Sequence, residues 1–276
     1  MPARRQALCG RDASPHQMLG LFDSGLGGLT VVRRLRELLP AEDVLFFADQ
    51  AHVPYGDRAP EDLAKLLAGN VRRLNQSGAD AIVMACNTSC AIASQYGWPP
   101  SAIPILDLID SAARAVTKRG FERIGVIATT ATVRTGAYAK AIRHCNPMAT
   151  IQEVAAPELV PIVEAGEIGG ERAGRAVARA CSSFSGSLEA VVLACTHYPV
   201  LDYHFANALG ERVARIDPAV EQALAAADLV HKSTIQRGGQ GNVRYITNGD
   251  PNAFRSSIMA LMGELAPDVE GVAAAA

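Results

Sequence analysis

Residues 80–88 read DAIVMACNT and residues 189–197 read EAVVLACTH, and how these two stretches are taken decides the fold. Each is a short apolar run bounded by polar residues, the pattern of a strand buried on both faces. Each ends in a cysteine, Cys86 or Cys195, followed by hydrogen-bonding residues: Asn87-Thr88 in one case and Thr196-His197 in the other. The cysteines lie 109 residues apart, and Asp80 and Glu189 keep the same spacing. Three more pairs repeat in the same order: LGLFDS (19–24) with IGVIAT (124–129), Val53-Pro54 with Val160-Pro161, and Asp107 of IPILDL with Asp217 of RVARID. Such a series points to an internal duplication and hence two similar α/β halves.

Helical periodicity fills the spaces between these strands. LTVVRRLRELLP (29–40) places Leu29, Val32, Leu35 and Leu39 on one face and stops at Pro40, while residues 60–78 open on a proline, repeat Leu63, Leu67, Val71 and Leu74, and end at Gly78. Residues 133–144 and 170–184 are the corresponding helices of the second half. Strands and helices alternating at this interval predict two similar three-layer α/β domains with mainly parallel sheets, related by a pseudo-twofold, with the active site in the cleft between them. After Asp217 come a further helix, a VRYIT strand (243–247) and a last helix over about 252–265, a unit without a counterpart after residue 107. The expected division is therefore 18–107 plus 219–276 as the first domain and 108–218 as the second. Residues 1–17 read as a flexible tail and GVAAAA at the C-terminus as loose.

The composition narrows the chemistry. With 276 residues, 49% hydrophobic and 20% charged, the chain reads as a globular protein with two cores. No apolar run reaches the length of a membrane span, and the N-terminus lacks the apolar core of a signal peptide, so the expected location is cytoplasmic and no membrane contact is expected. A formal net charge of −2 offers no general grip on nucleic acid. Six cysteines scattered through such a chain read as thiols rather than a disulfide framework.

In parallel α/β sheets the ligand lies beyond the carboxyl ends of the strands. FDSGLGG (22–28) leaves the first strand there through three glycines, freeing backbone N–H groups for an anion; Thr30 stands where a dinucleotide fingerprint needs its third glycine. Asp23 in that turn is either a helix cap or a site residue. Cys86 and Cys195 occupy equivalent strand ends before a polar turn and a helix, where a helix N-terminus lowers a thiol's pKa. A buried structural cysteine is the plainer reading for either alone, and it fits the equivalent pair less well. Cys90, one helical turn on, reads as core, as do Cys9, Cys145 and Cys181. A zinc site from Cys86, Cys90, Cys195 and His197 is disfavoured because Cys-x-His on a strand end directs its side chains apart. Metal: none is expected. A pyridoxal enzyme needs a catalytic lysine, and Lys65, Lys118, Lys140 and Lys232 all fall in polar helical segments.

GLFDSGLGGLTV (20–31), ADQAHVPYG (48–56), ACNT (85–88), ATTATVRTGAY (128–138), VPIVEAGE (160–167), ACTHYP (194–199) and TNGDPNAF (247–254) together resemble bacterial glutamate racemase, of the aspartate/glutamate racemase family, over residues 19 to 265. The resemblance implies a cofactor-independent, two-base interconversion of L- and D-glutamate that supplies D-glutamate for peptidoglycan. It implies Cys86 as the base toward D-glutamate, helped by Asp23, and Cys195 as the base toward L-glutamate, helped by His197 and Glu164. The implied substrate contacts are Asp23, Ser24, Pro54, Tyr55, Gly56, Asn87, Thr88, Thr129, Thr132, Thr196 and His197. Hydroxyls, amides and backbone N–H groups suit an acidic amino acid without quenching a thiolate as a lysine or arginine would. Two matched thiols also make a nearly mirror-symmetric site for a nearly mirror-symmetric reaction.

The chain departs from the family pattern at Ala194, usually glycine, at LDLIDSAARA (106–115), where Pro-Gly is common, and at AAP (155–157), which lacks a common cysteine. The alternatives in the same fold are racemisation of aspartate or another acidic amino acid, and carboxylate binding without catalysis. The expected partner is the small-molecule substrate, and a homodimer is compatible with the chain.

Overall fold

The computed structural model describes residues 18–232 and 239–274. The expected N-terminal tail, with Cys9, lies outside the described residues. The first half lays down β1 (Met18–Asp23), β2 (Asp43–Ala48), β3 (Ala81–Met84) and β4 (Ile105–Asp107), and the second β5 (Arg123–Ala128), β6 (Thr150–Ala155), β7 (Ala190–Ala194) and β8 (Ala214–Ile216). After these come β9 (Val243–Thr247) and β10 (Asp268–Gly271). One sheet runs β10-β9-β2-β1-β3-β4 and the other β6-β5-β7-β8, with every pairing parallel. The order 2-1-3-4 in one is the order 6-5-7-8 in the other, so the duplication read from residues is a duplication of topology. β1 and β5 are the central strands, and β3 and β7, each leading into a cysteine, lie beside them.

Helices link the strands: α1 (Leu29–Leu38), α2 (Pro60–Gln76), α3 (Asn87–Tyr96), α4 (Leu108–Lys118), α5 (Thr130–Thr135), α6 (Ala137–Cys145), α7 (Leu159–Glu164), α8 (Glu171–Ser182), α9 (Asp202–Leu209), α10 (Pro218–Lys232) and α11 (Pro251–Met262). α2 shows why the sequence folds this way. Pro60 needs no N–H partner in the first turn, Leu63, Leu67, Val71 and Leu74 make a buried stripe, and Gly78 at φ +84° turns the chain into the next strand. Burying one such leucine contributes about 1.5–3 kcal/mol. Asp107 and Asp217, paired in the sequence comparison, each accept a backbone N–H two residues on, at 2.8 and 2.9 Å, as α4 and α10 begin. A single apolar cluster runs from Phe22 and Met84 through Cys90 and Ala112 to Val126 and Tyr138, joining both sheets through α3 and α4.

Four sequence expectations need correction. Residues 133–144 are not one helix: Gly136, at φ +61°, ends α5 and starts α6. The C-terminus is not loose from residue 271, because β10 ends at Gly271 and the Val272 N–H donates to the Thr247 carbonyl at 2.8 Å. Cys145, at the end of α6, is only half-buried, whereas Cys90 and Cys181 are core. Cys195 is followed by a turn and a 3-10 helix, Tyr198–Leu201, before α9, so no α-helix starts at the second cysteine as one does at the first.

Candidate active site

Between the carboxyl ends of β1 and β3 on one side and β7 on the other lies a cavity of about 380 Å³, the size range of a small-ligand site. Cys86, Asn87 and Thr88 line it from the first half, and Cys195, Thr196 and His197 from the second. Asp23, Ser24, Pro54, Tyr55, Gly56, Thr129 and Glu164 complete the expected set on its wall. Thr132 does not reach it: fully buried, it stands behind Thr129 with the two hydroxyls 3.0 Å apart. Thr129 in turn meets the Thr88 hydroxyl at 3.1 Å, a contact between halves. Val53, Asp57, Pro157, Val160 and Pro161 also line the cavity and were not expected from sequence. Among the described residues, no lysine or arginine faces it, and no group of three or more His, Cys, Asp or Glu side chains is placed to hold a metal ion.

Cys86 is the N-cap of α3 and is 3% exposed; its thiol donates to Ser24 Oγ at 3.7 Å. The helix N-terminus does not lower its pKa as the sequence suggested. Burial, reinforced by the negative charge of Asp23, pushes the thiol up to about 12. Asp23 is itself 1% exposed. Burial raises its pKa, while His197 and the N–H groups of Ser24 and Gly28 oppose the rise. The Gly28 N–H donates to Asp23 Oδ2 at 2.5 Å and the Thr196 hydroxyl to the same oxygen at 3.3 Å. Asp23 is therefore both the brace of the glycine turn and a neighbour of the first thiol, so the two readings of that residue hold together.

The second thiol has a different environment. Cys195 Sγ lies 3.7 Å from His197 Nδ1, and His197 Nε2 lies 2.5 Å from Glu164 Oε1. The expectation that Cys-x-His would direct its side chains apart fails because β7 ends at Ala194: residues 195–197 form a turn, without the alternation of a strand. Burial disfavours the charged imidazole, but hydrogen bonds and negative charge from Cys195 and Glu164 outweigh it and hold the His197 pKa well above its ordinary value.

Asp49 is the residue whose importance sequence reasoning missed. It is 1% exposed and accepts from the Tyr55 hydroxyl, Asn70 Nδ2 at 3.3 Å, Asn248 Nδ2 and His52 Nδ1 at 2.6 Å. Burial pushes its pKa up, and the bonds from Tyr55, His52 and Asn248 more than reverse that. Tyr55 consequently spends its hydroxyl on Asp49. The only sequence signal was the placement of Asp49 within ADQAHVPYG.

The Asp/Glu/Hydantoin racemase family model matches residues 21–226. A glutamate racemase of Gloeobacter violaceus is 40% identical over 259 residues, covering 93% of this chain and 96% of its own. In structure, a glutamate racemase isoform of Bacillus anthracis superposes with a TM-score of 0.86 at 29% identity, over 94% of this chain and 98% of its own. The glutamate racemase of Francisella tularensis in complex with D-glutamate gives 0.84 at 30% identity, over the same shares of the two chains.

Proposed function

The chain belongs to the Asp/Glu/Hydantoin racemase family, among the glutamate racemases, and on that premise we propose that Cys86 and Cys195 exchange the α-proton of glutamate from opposite faces. The protein is an isomerase, and its reaction is the interconversion of L- and D-glutamate. Cys195, as thiolate, removes the proton from L-glutamate, with the His197–Glu164 pair holding positive charge beside the sulfur. The electron pair left at Cα spreads into the α-carboxylate. Cys86, as thiol, then returns a proton to the other face and gives D-glutamate; in the reverse direction the roles exchange and Asp23 assists Cys86. The observation that supports this reading is that two buried cysteines, one from each half, line one cavity, each with its own polar neighbours.

Carboxylate recognition falls to neutral donors, the side chains of Ser24, Asn87, Thr88 and Thr196, because among the described residues the cavity wall carries no lysine or arginine. No cofactor enters the proposed chemistry. The division into 18–107 plus 219–276 and 108–218 lets the halves close on the substrate, and the D-glutamate formed in the cytoplasm serves peptidoglycan synthesis.

The deciding experiment is incubation of the purified protein with L-glutamate in D₂O without added cofactor. D-Glutamate carrying α-deuterium is the expected product. Absence of both inversion and exchange sinks the reading, exchange without inversion removes the second base, and faster turnover of aspartate than glutamate moves the substrate assignment.

A further inference from the structure

Ser89 is the third residue of α3, and Cys86 is the N-cap of that helix. An N-cap side chain lies over the free N–H groups of the first turn, so the geometry of the helix start sets the Cys86 sulfur and Ser89 together. Ser89 is 2% exposed, and its Oγ is buried without a hydrogen-bond partner among the described residues. A serine inside a helix ordinarily returns its hydroxyl to a carbonyl one turn back, as Ser94 does to Ala91 at 2.7 Å and Ser111 to Asp107 at 2.9 Å. Ser89 makes no such bond, although a buried hydroxyl left unpaired destabilises a fold.

The sulfur supplies what the hydroxyl lacks once it is charged. A neutral thiol is a weak acceptor, whereas a thiolate carries no proton and can only accept, so a bond between it and Ser89 must run from the serine. Burial and then Asp23 push the Cys86 pKa up to about 12, and the Ser89 hydroxyl, the Ser89 N–H and the Ser24 hydroxyl oppose them. The Ser89 hydroxyl is thus near enough to respond to charge on the sulfur, yet closes no bond while the sulfur is neutral. Tyr55 and Cys90 also lie within reach of charge on Cys86, the first with its hydroxyl given to Asp49 and the second a buried core thiol, and His197 acts on Asp23 from the second half. At Cys195 the helper is an imidazole 3.7 Å away, whereas the donors that oppose burial at Cys86 are neutral hydroxyls and a backbone N–H.

Building on the assignment of the two cysteines as the proton-transfer pair, we infer that Ser89 is a further catalytic residue: its hydroxyl donates to the Cys86 thiolate and holds the charge there until the α-proton of D-glutamate is taken. In that step the Cα–H bond breaks, the S–H bond of Cys86 forms, the electron pair at Cα passes into the α-carboxylate, and Ser89 keeps its own proton. In the other direction the same hydroxyl stabilises the charge that appears on Cys86 as its proton leaves. The two thiols are served by different chemistry, a histidine at Cys195 and a hydroxyl at Cys86.

The test compares Ser89→Ala with wild type in turnover, isotope effects and alkylation. Loss of one bond to a charged group is expected to lower kcat/KM about 10-fold, equally from both enantiomers. The α-deuterium isotope effect is expected to grow on D-glutamate and shrink on L-glutamate, because the substitution slows proton transfer at Cys86 alone. Alkylation of Cys86 by iodoacetamide at fixed pH, followed by peptide mass spectrometry, is expected to slow about 10-fold as the thiolate fraction falls. The Tm should hold or rise, since an unpaired buried hydroxyl is removed. In a Cys86→Ala background, Ser89→Ala is expected to change washout of the L-glutamate α-proton by less than about 2-fold. An equal loss in that background, or a lower Tm with unchanged alkylation and isotope effects, assigns Ser89 a merely structural part and overturns the inference. Wild-type turnover and alkylation in Ser89→Ala refute the inference alone. Wild-type protein that does not racemise glutamate refutes the glutamate reading itself, and the alkylation rates then still decide whether Ser89 supports the Cys86 thiolate.

Discussion

The Thr196 hydroxyl donates to Asp23 Oδ2 across the cleft at 3.3 Å, so the residue after the second thiol touches the carboxylate that neighbours the first. The two ends of the site are thereby coupled, and their electrostatics are opposite in sign. Burial, reinforced by Asp23, raises the Cys86 pKa, whereas Cys195 faces His197, whose pKa the bonds and charge of Cys195 and Glu164 hold well above its ordinary value. The two thiols therefore stand beside groups of opposite sign, a carboxylate at Cys86 and a histidine of raised pKa at Cys195.

Removing either sulfur separates exchange from inversion. Cys86→Ala and Cys195→Ala are each expected to lower racemisation by about 10³-fold, in the range for loss of a positioned acid or base. Cys86→Ala keeps the Cys195–His197–Glu164 group and is expected to wash the α-proton of L-glutamate into D₂O solvent without forming D-glutamate. NMR of the recovered amino acid, followed by chiral chromatography, reads both quantities. Equal inversion and exchange in that variant would mean that another residue reprotonates the opposite face.

Asp23→Asn exposes a conflict between stability and activity. Burial raises the Asp23 pKa above 3.8, so between that value and the folded pKa the folded state binds more protons than the unfolded state. Stability therefore falls as pH rises through that window, and above it the buried carboxylate costs the protein the whole of the difference. Asparagine can still accept from the Gly28 N–H but cannot ionise. The variant is expected to have the higher Tm at pH 7, a difference that closes on acidification, together with a Cys86 pKa below about 12 and a loss of turnover. Thermal melts across pH and thiolate absorbance check the two halves of this expectation; a lower Tm for Asp23→Asn at neutral pH refutes the first.

Glu164→Gln tests the helper of the second thiol, and it cannot do so through kcat/KM alone. Two enantiomers have an equilibrium constant of unity by symmetry, so every variant must show equal kcat/KM in both directions. The asymmetry appears instead in the α-deuterium isotope effect. Weakening the support of His197 makes proton removal at Cys195 slower, so the effect on α-deuterated L-glutamate is expected to grow while that on the D-enantiomer shrinks. His197 has a raised pKa, so its contribution to stability is complete below about 6.5 and is lost as pH rises through the folded value. Glu164→Gln should weaken that contribution on the acid side. Isotope effects that stay equal from both enantiomers would remove Glu164 from the mechanism.

What could be read from sequence follows the range of the interaction concerned. The strands into Cys86 and Cys195 were legible because burial on both faces writes an uninterrupted apolar run. β10 was missed because it is a short edge strand, Asp-Val-Glu-Gly, largely exposed, where no face imposes a pattern. The helix break at Gly136 shows in sequence as one glycine after the Thr- and Val-rich segment TATVRT. The Asp49 cluster gathers Tyr55, Asn70 and Asn248, whose distances along the chain hide their meeting. The direction of the Cys86 shift failed for the same reason: the helix N-terminus is local and visible, whereas burial and Asp23 arrive only with the tertiary fold.

Gly27 is the place where the glycine turn and the second thiol's helpers meet most closely. A Cβ built there would lie 2.7 Å from Thr196 Cβ and 3.0 Å from His197 Nδ1, distances at which the neighbours must move. The constraint is steric, since Gly27 is not among the residues with positive φ. Gly27→Ala is thus expected to displace Thr196 from Asp23 and His197 from Cys195 together. A displacement near 1 Å at a reacting group costs on the order of 10² in rate, while overpacking costs about 1–3 kcal/mol of stability. Gly169→Ala, where an added Cβ meets nothing within 4 Å, is the control and should leave turnover unchanged. Steady-state kinetics beside thermal melts decide the matter. A Gly27→Ala protein with wild-type turnover would show that the wall carrying Thr196 and His197 yields freely, and the fixed contact between Asp23 and Thr196 could not then be what sets the two thiols against each other.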